Sequence, residues 1–239
     1  MIQRPREPAH RIIVALDIPD EDGLRRLVKK LIGKVGMFKI GKELFTSTGP
    51  RAVSLVRDRG GEVFLDLKYH DIPNTVASAV RAAARLGVSM LTVHASGGSK
   101  MVRAAAEAAK EVPDPPAIIA VTLLTSLGQS EVEDLGYSGS PQDVVVRLAA
   151  LSLAAGADGL VTSPREVRSL RKEHGENPLL ITPGVRPAGS ATDDQSRIAT
   201  PAQAVQDGAD YLVIGRPITK DPDPAAAAGR ITEELEENA

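Results

Sequence analysis

The sequence contains no cysteine, and this absence removes two kinds of chemistry. Disulfide bonds cannot form, and no thiolate is available as a nucleophile or as a metal ligand. The redox compartment stays undetermined, because the absence of cysteine alone does not distinguish an oxidising from a reducing environment.

The chain also lacks an excess of one charge and a long apolar run. Its 29 Lys and Arg against 31 Asp and Glu give a formal net charge of -2, which provides no extended basic surface for nucleic acid or anionic lipid. Residues 1–11 are polar and rich in proline, and the apolar run at 12–16 is too short for a signal peptide or a membrane span. We therefore expect a cytoplasmic protein that acts on a small molecule.

Histidines are few, and their spacing does not suggest a metal site. The four are His10, His70, His94 and His174. They are scattered, without a pattern such as His-x-x-x-His, so we expect no metal to be bound by them. His94 is expected to line or support a pocket.

Short apolar runs alternate along the chain with alanine- and arginine-rich stretches of helical periodicity. The runs predict eight strands, at residues 11–17, 37–42, 62–68, 90–95, 117–124, 159–163, 179–185 and 211–216. The helices predicted between them include 75–86, 101–111, 143–155 and 164–174. This alternation is typical of an α/β fold with a parallel sheet.

Eight βα units in 239 residues indicate a single closed (β/α)8 barrel, the TIM barrel. A doubly wound open sheet is the alternative. No linker or low-complexity tract divides the chain, so we expect one domain over residues 1–239, with residues 1–10 as an N-terminal extension.

Polar side chains collect at the carboxyl ends of the predicted strands. They are Asp17, Lys39, Lys42, Asp66, Lys68, His94, Thr125, Ser126, Arg186 and Arg216. Barrel active sites form at this end, because the βα loops converge there. One isolated Asp or Lys would be interpreted as a solvated loop residue, but their concentration on one rim favours a functional site.

The densest group of charges lies in residues 66–75, Asp-Leu-Lys-Tyr-His-Asp-Ile-Pro-Asn-Thr. Asp66 and Lys68 are two apart on a predicted strand, so they should project from the same face, and Asp71 follows in the loop. Two carboxylates beside one amine favour its charged form, so Lys68 should be an ammonium fit to donate a proton. It would be a poor Schiff-base nucleophile, which must be partly deprotonated.

Glycine and arginine are combined after the last two predicted strands. The pairs are Gly184 with Arg186 after the seventh strand and Gly215 with Arg216 after the eighth. Backbone N–H groups and guanidinium groups at this place are typical of a barrel phosphate site, so the ligand should carry a phosphate. The long polar loop at residues 186–199 predicts a lid, with Gln195 contacting the phosphate.

These motifs together resemble orotidine 5'-phosphate decarboxylase of the bacterial type. The matching blocks are Ala15-Leu16-Asp17, Lys39, Asp66-x-Lys68-x-x-Asp71-Ile72-Pro73-Asn74-Thr75, Leu124-Thr125-Ser126, Pro183-Gly184-Val185-Arg186, Asp193-Asp194-Gln195 and Ile214-Gly215-Arg216. They span nearly the whole chain in the expected order. Two departures, Tyr69 where phenylalanine is common and the extension at residues 1–10, touch no position expected to do chemistry.

The resemblance implies the reaction and its catalytic residues. Orotidine 5'-monophosphate would lose carbon dioxide from C6 of its pyrimidine ring and give uridine 5'-monophosphate, in pyrimidine biosynthesis, without metal or organic cofactor. Lys68 would stabilise the C6 carbanion and then protonate it. Asp66 and Asp71 would keep Lys68 charged, and Lys39 would complete an alternating array of charges.

The resemblance also implies the binding residues. The ribose would be contacted by Asp17, Lys39 and Thr75, the pyrimidine by Thr125 and Ser126, and the phosphate by Arg186, Gln195, Gly215 and Arg216. Asp66 and Asn74 complete the predicted substrate-binding set. Asp71 and Thr75 would reach the partner's site in a homodimer with two composite sites.

Two other functions remain open. A sugar-phosphate decarboxylase resembling the 3-keto-L-gulonate 6-phosphate enzyme shares the Asp-x-Lys-x-x-Asp core but uses magnesium, and the Ile72-Pro73-Asn74-Thr75 continuation argues against it. A non-catalytic nucleotide-binding barrel would carry the same fold and phosphate site. The two lysines and two carboxylates argue against that, because like charges strain a site that does not need them.

Overall fold

Eight parallel strands close on themselves in the computed structural model, which describes residues 4–187 and 199–238. Each strand pairs with the next along the chain, and the last returns to pair with the first. The strands are β1 (Ile12–Ala15), β2 (Met37–Gly41), β3 (Val63–Tyr69), β4 (Met90–His94), β5 (Ala117–Val121), β6 (Gly159–Val161), β7 (Leu179–Pro183) and β8 (Tyr211–Ile214). The predicted (β/α)8 barrel is confirmed, and the open-sheet alternative is wrong.

Helices follow the strands around the outside of the barrel. In the described residues they are α1 (Glu21–Leu31), α2 (Lys42–Thr48), α3 (Arg51–Arg57), α4 (Pro73–Ala84), α5 (Gly98–Ala109), α6 (Gln129–Asp134), α7 (Pro141–Ala154), α8 (Pro164–His174), α9 (Pro201–Gln206), α10 (Arg216–Thr219) and α11 (Pro224–Glu237), with short 3₁₀ helices at Pro8–Arg11 and Ala95–Gly97. Across those same residues, no helix has both the length and the apolar character that a membrane crossing requires.

The starts of several helices are determined by a capping side chain followed by proline. The side chain of Ser140 accepts a hydrogen bond from the Asp143 backbone N–H, and the next residue is a proline. Thr200, which is also followed by proline, caps α9 in the same way. Asp223 accepts from two backbone N–H groups of the first turn of α11. Each cap satisfies N–H groups that the helix itself cannot, and proline costs nothing there because its missing N–H would be unpaired anyway.

Side chains alternate along the strands between two apolar layers. Alternate residues fill the barrel interior, namely Ile13, Ala15, Met37, Phe64, Met90, Ala117, Ile119, Leu179, Ile181, Tyr211 and Val213. The intervening residues, such as Val14, Phe38 and Leu65, pack outward against the helices. The inward-facing positions then become polar toward the carboxyl ends of the strands, where Lys39, Asp66 and Thr92 are buried.

The residues before the first strand are held at the opposite end of the barrel. Arg4 Nε lies 3.0 Å from Oδ1 of Asp210, which is buried directly before β8, and Arg171 Nη2 lies 2.8 Å from Oδ2 of the same carboxylate. Asp210 also accepts from the backbone N–H of Leu180. This network joins the N-terminal segment, α8 and the start of β8, so we assign it to stability.

Candidate active site

A cavity of about 460 Å³ opens at the carboxyl ends of the strands. Eight predicted site residues line it: Asp17, Lys39, Asp66, Lys68, Thr125, Arg186, Gly215 and Arg216. Its apolar wall includes Phe64, Val121, Leu123, Val161 and Val213. A pocket with apolar walls and charged groups at both ends suits a ligand that carries a flat ring and an anion.

Charges of alternating sign run along one side of the cavity. Asp17 Oδ1 lies 3.1 Å from Lys39 Nζ, which lies 3.6 Å from Asp66 Oδ2. Lys68 Nζ lies 2.8 Å from both oxygens of Asp66. The resemblance implies an array of Lys39, Asp66, Lys68 and Asp71, and the structure brings the first three together in one chain. The structure adds Asp17, which was expected to contact the ribose.

Asp66 remains a carboxylate although it is buried. Burial alone raises the pKa of a carboxyl group, but the charges of Lys39 and Lys68, with hydrogen bonds from Lys68 and Thr92, outweigh that effect and lower the pKa of Asp66. The carboxylate is 8% exposed and Lys39 is 9% exposed, so water screens their interaction weakly. Asp66 is therefore ionised.

Gly41 leaves the space that the array needs. It lies two residues after Lys39 on the inward-facing side of β2, where its Cα is paired with Asp66 of β3. A Cβ at this position would lie 3.0 Å from Lys39 Nζ and 3.3 Å from Asp17 Oδ1. A larger residue would therefore displace the Asp17–Lys39 ion pair.

The backbone of Lys68 is unusual. Its φ angle is 54°, the one positive value among the described residues other than glycine. The pairing of β3 with β4 shifts at the same place, because Leu65 pairs with Leu91 but Tyr69 pairs with Val93. Such a bulge turns the strand and redirects a side chain at the cavity mouth. Strain of about 1–2 kcal/mol accompanies this backbone conformation in a residue other than glycine.

The other end of the cavity carries the predicted phosphate residues. Gly184, Gly215 and Arg216 line it together with Arg186, which is 7% exposed. Lys220, directly after α10, adds a third cation that sequence reasoning missed. Glycine backbone and three cations are suited to a phosphate dianion.

The ends of the predicted lid are joined at this rim. Val185 and Ala199 form a parallel bridge, and the backbone N–H of Arg186 donates to the carbonyl of Ala199 at 3.0 Å. Gln195 and residues 188–198 as a whole lie outside the described residues. The lid therefore stays a prediction.

Four predicted site residues lie away from the cavity within this chain. Asp71, Asn74, Thr75 and Ser126 are exposed and do not line it in the described part of the structure. Asp71 Oδ1 accepts from the backbone N–H of Ile72 at 2.6 Å, and among the described residues no ion pair joins Asp71 to Lys68. A single chain thus places one of the two predicted carboxylates beside Lys68, and the roles of these four residues stay predictions.

Comparison with known proteins identifies the family. The model of the orotidine 5'-phosphate decarboxylase / HUMPS family matches residues 10–231, which is most of the chain. The chain belongs to this family. The resemblance read from the sequence motifs is confirmed.

Relatives named orotidine 5'-phosphate decarboxylase are similar over almost their full length. The protein from Moorella thermoacetica is 53% identical over 232 residues, covering 95% of this chain and 92% of the relative. The protein from Nitrosospira multiformis is 52% identical over 227 residues, covering 95% and 94%. These similarities extend over almost the whole chain.

Solved structures agree with the barrel. The orotidine 5'-phosphate decarboxylase from Lactobacillus acidophilus superposes with a TM-score of 0.84 at 37% identity, covering 94% of this chain and 98% of that one. An uncharacterized conserved protein from Geobacillus kaustophilus gives a TM-score of 0.83 at 36% identity, covering 94% and 99%.

In this member of the decarboxylase family, His94 is partly buried and does not line the cavity among the described residues. It ends β4, and its ring centroid is 5.4 Å from that of His70. Burial lowers the pKa of His94 to about 4, with further lowering by electrostatic interaction with His70, Lys68 and Lys42 and a smaller opposing effect of Asp66. His94 is therefore neutral at physiological pH. Over the described residues, no cluster of His, Cys, Asp and Glu could hold a metal ion.

The low pKa of His94 predicts a loss of stability in mild acid. The unfolded chain binds a proton at His94 as the pH falls below about 6.5, whereas the folded chain resists it until about 4. Stability is therefore lost as the pH falls through this window, by about 2 kcal/mol after allowance for partial exposure. Urea unfolding at several pH values, at one protein concentration, measures this.

The matched variant for this measurement is His94→Asn, which cannot titrate. We expect its unfolding free energy to depend less on pH between 6.5 and 4 than that of the wild type. Identical pH dependence in the two proteins would show that His94 is not the group responsible.

Sequence reasoning missed three residues that shape this decarboxylase-family site. Gly41 and Lys220 are single residues outside any recognisable motif, so the sequence gives no reason to select them. Thr92 lies within the predicted strand at residues 90–95, which is otherwise mostly apolar. Thr92 lies two residues before His94 on β4, so both side chains are on the same face of the strand. This spacing is the signal that could have identified Thr92.

Proposed function

We propose that this chain decarboxylates orotidine 5'-monophosphate to uridine 5'-monophosphate in pyrimidine biosynthesis. The observation that carries the proposal is the Lys39–Asp66–Lys68 array, with Lys39 and Asp66 buried, in a cavity that Arg186 and Arg216 also line. An ammonium at one end and a phosphate site at the other match the two ends of this substrate. Family membership and the names of the relatives support the same reaction.

Lys68 is proposed as the acid of the reaction. The bond from C6 to the carboxylate breaks, carbon dioxide leaves, and the electron pair stays on C6. An ammonium held beside C6 stabilises this charge and then transfers one proton to the carbon. Asp66 holds the ammonium at 2.8 Å, and Lys39 adds a second positive charge to the same carboxylate. Lys68 regains its proton from water after the product leaves.

Contacts remote from C6 are proposed to hold the substrate against Lys68. Arg186, Gly215 and Arg216 would bind the phosphate with Gln195, which belongs to the proposed lid at residues 186–199. The remaining proposed contacts are Asp17, Lys39 and Thr75 to the ribose, Thr125 and Ser126 to the pyrimidine, and Asp66 and Asn74 to the substrate more generally. Binding energy from the phosphate can then be used to position the ring, which raises the rate as well as the affinity.

We also propose that two chains form a homodimer with composite sites. Asp71, Ile72, Asn74 and Thr75 are all exposed, and Ile72 is 67% exposed. A large apolar side chain flanked by polar residues is suited to an interface between two copies. Asp71 and Thr75 would then reach the partner's site. A single domain over residues 1–239 and a cytoplasmic location stay predictions from the sequence.

The proposed function is tested by following the ultraviolet absorbance of orotidine 5'-monophosphate with purified protein in EDTA. We expect turnover that added magnesium does not increase. Orotidine, which lacks the phosphate, is the control substrate, and its kcat/KM should be lower by on the order of 10³-fold or more.

Other outcomes would support the alternatives. Tight binding of uridine 5'-monophosphate without turnover would favour a nucleotide-binding barrel. Magnesium-dependent turnover of a sugar phosphate, with none of orotidine 5'-monophosphate, would favour the gulonate-type decarboxylase.

A further inference from the structure

Thr92 lies between the backbone and the side chain of the proposed acid. It occupies an inward-facing position of β4 and is fully buried. Its Oγ1 accepts a hydrogen bond from the backbone N–H of Lys68 at 2.8 Å and donates one to Oδ1 of Asp66 at 3.0 Å. One hydroxyl group therefore contacts the backbone of Lys68 and the carboxylate that holds the Lys68 ammonium.

The bulge in β3 explains why this hydroxyl is needed. Between Leu65 and Tyr69 the regular pairing with β4 is interrupted, and Lys68 takes its positive φ within the interruption. A backbone N–H displaced from the ladder in a partly buried place requires another acceptor. The Thr92 hydroxyl is that acceptor, and it stabilises the strained conformation that directs the Lys68 side chain.

The direction of the hydroxyl proton follows from these two bonds. Because the Lys68 N–H uses a lone pair of Oγ1, the single hydroxyl hydrogen is free to point at Asp66. Asp66 Oδ1 then receives both this hydrogen and the Lys68 ammonium, which fixes the carboxylate and the ammonium in one arrangement. Removing the hydroxyl would leave the Lys68 N–H and Asp66 each without one partner.

We propose that Thr92 is a positioning residue, whose hydroxyl holds the Lys68 ammonium in place for proton transfer to C6. The inference rests on the proposed decarboxylation and extends it to a residue that does not line the substrate cavity among those described. Thr92 would thus affect the chemical step and leave substrate binding nearly unchanged.

The test compares Thr92→Val, which replaces the hydroxyl with a methyl group of similar size, with Thr92→Ser, which keeps the hydroxyl. Because a small displacement of a catalytic group can cost about 100-fold, we expect kcat to fall by about 10- to 100-fold in Thr92→Val with KM changed by less than about 3-fold. Thr92→Ser should retain kcat within about 3-fold of the wild type.

Thr122→Val is the matched control. Thr122 is also a buried threonine, 3% exposed, in the segment that directly follows β5, but its Oγ1 donates to the carbonyl of Val161 and not to the array. This variant loses the side-chain hydrogen bond to Val161, whereas Thr92→Val loses two bonds that join the array, and it should keep the wild-type kcat. Thermal unfolding of each variant shows whether it is folded at the assay temperature.

A second measurement does not depend on turnover. In protein with ¹⁵N-labelled lysine, the Nζ resonance of Lys68 can be assigned by its absence from Lys68→Ala. We expect it to shift in Thr92→Val and to stay unchanged in Thr122→Val. If wild-type protein does not turn over orotidine 5'-monophosphate, the proposed function fails, while this resonance still reports whether Thr92 positions the ammonium.

Three results would overturn the role of Thr92: unchanged kcat in folded Thr92→Val, an equal loss of kcat in Thr122→Val, or an unshifted Lys68 resonance in Thr92→Val. A loss of kcat in Thr92→Ser as large as in Thr92→Val would also exclude the hydroxyl as the responsible group.

Discussion

Lys68→Ala should lower kcat for orotidine 5'-monophosphate by about 10⁴-fold or more, because one ammonium supplies both electrostatic stabilisation and the proton. The fold should survive the change. Asp66 keeps Lys39 at 3.6 Å and the Thr92 hydroxyl at 3.0 Å, so its buried charge is still compensated. Single-turnover measurements of the absorbance change give the loss in the chemical step itself.

Two further variants make this result specific. Lys68→Arg keeps a positive charge but holds its proton far more tightly, so activity that remains in it reports electrostatic stabilisation without proton transfer. Lys34→Ala is the matched control, because Lys34 is an exposed lysine before β2, at the other end of the barrel, and should leave kcat unchanged. If Lys68→Ala kept a tenth of the wild-type kcat, Lys68 could not be the acid.

Mixing the inactive variants Lys68→Ala and Asp71→Asn should restore activity if the sites are shared between chains. Asp71→Asn removes the charge that is proposed to reach the partner's Lys68, but its amide oxygen can still accept from the Ile72 N–H. We expect this variant alone to lose at least about 100-fold in kcat. In a mixed dimer, one site combines Lys68 of the first chain with Asp71 of the second and is complete.

The expected recovery can be counted. When equal amounts of the two variants reassociate at random, half of the dimers are mixed, and each mixed dimer has one complete site out of two. Activity should therefore return to about a quarter of the wild-type value. The control mixes Lys68→Ala with Asp66→Asn, which damage the same end of a site within one chain and cannot restore each other. Absence of recovery, in a mixture shown by native mass spectrometry to contain mixed dimers, would exclude the shared site.

The barrel could be predicted because each strand carries its own local signal. Apolar runs such as residues 117–121 are readable from neighbouring residues alone. Because barrel active sites form at the carboxyl ends of the strands, polar residues that are distant in sequence but follow different strands are then expected to lie together. For this reason the sequence predicts that Lys39, Asp66 and Arg186 share one site.

The remaining features depend on contacts between strands that no local pattern encodes. The positive φ of Lys68 arises from a change of register against β4, and Gly41 is needed only because Lys39 and Asp17 meet beside it. Residue spacing alone does not predict the exposure of Asp71, because residues 66–75 read as one continuous block; only the family resemblance implies that Asp71 reaches a partner chain. These three features are set by tertiary structure, and sequence spacing is silent about them.

The closure of the barrel by β1 and β8 has a consequence for how the protein is synthesised. Ile13 pairs with Val213, roughly two hundred residues later, so the first strand emerges from the ribosome long before its partner exists. Until then, β1 presents an open edge on which other chains could add. The charged array comes from the first three strands, whereas Gly184, Arg186 and Arg216 follow the last two. A nascent chain therefore carries its acid early but cannot hold a substrate against it until translation is nearly complete.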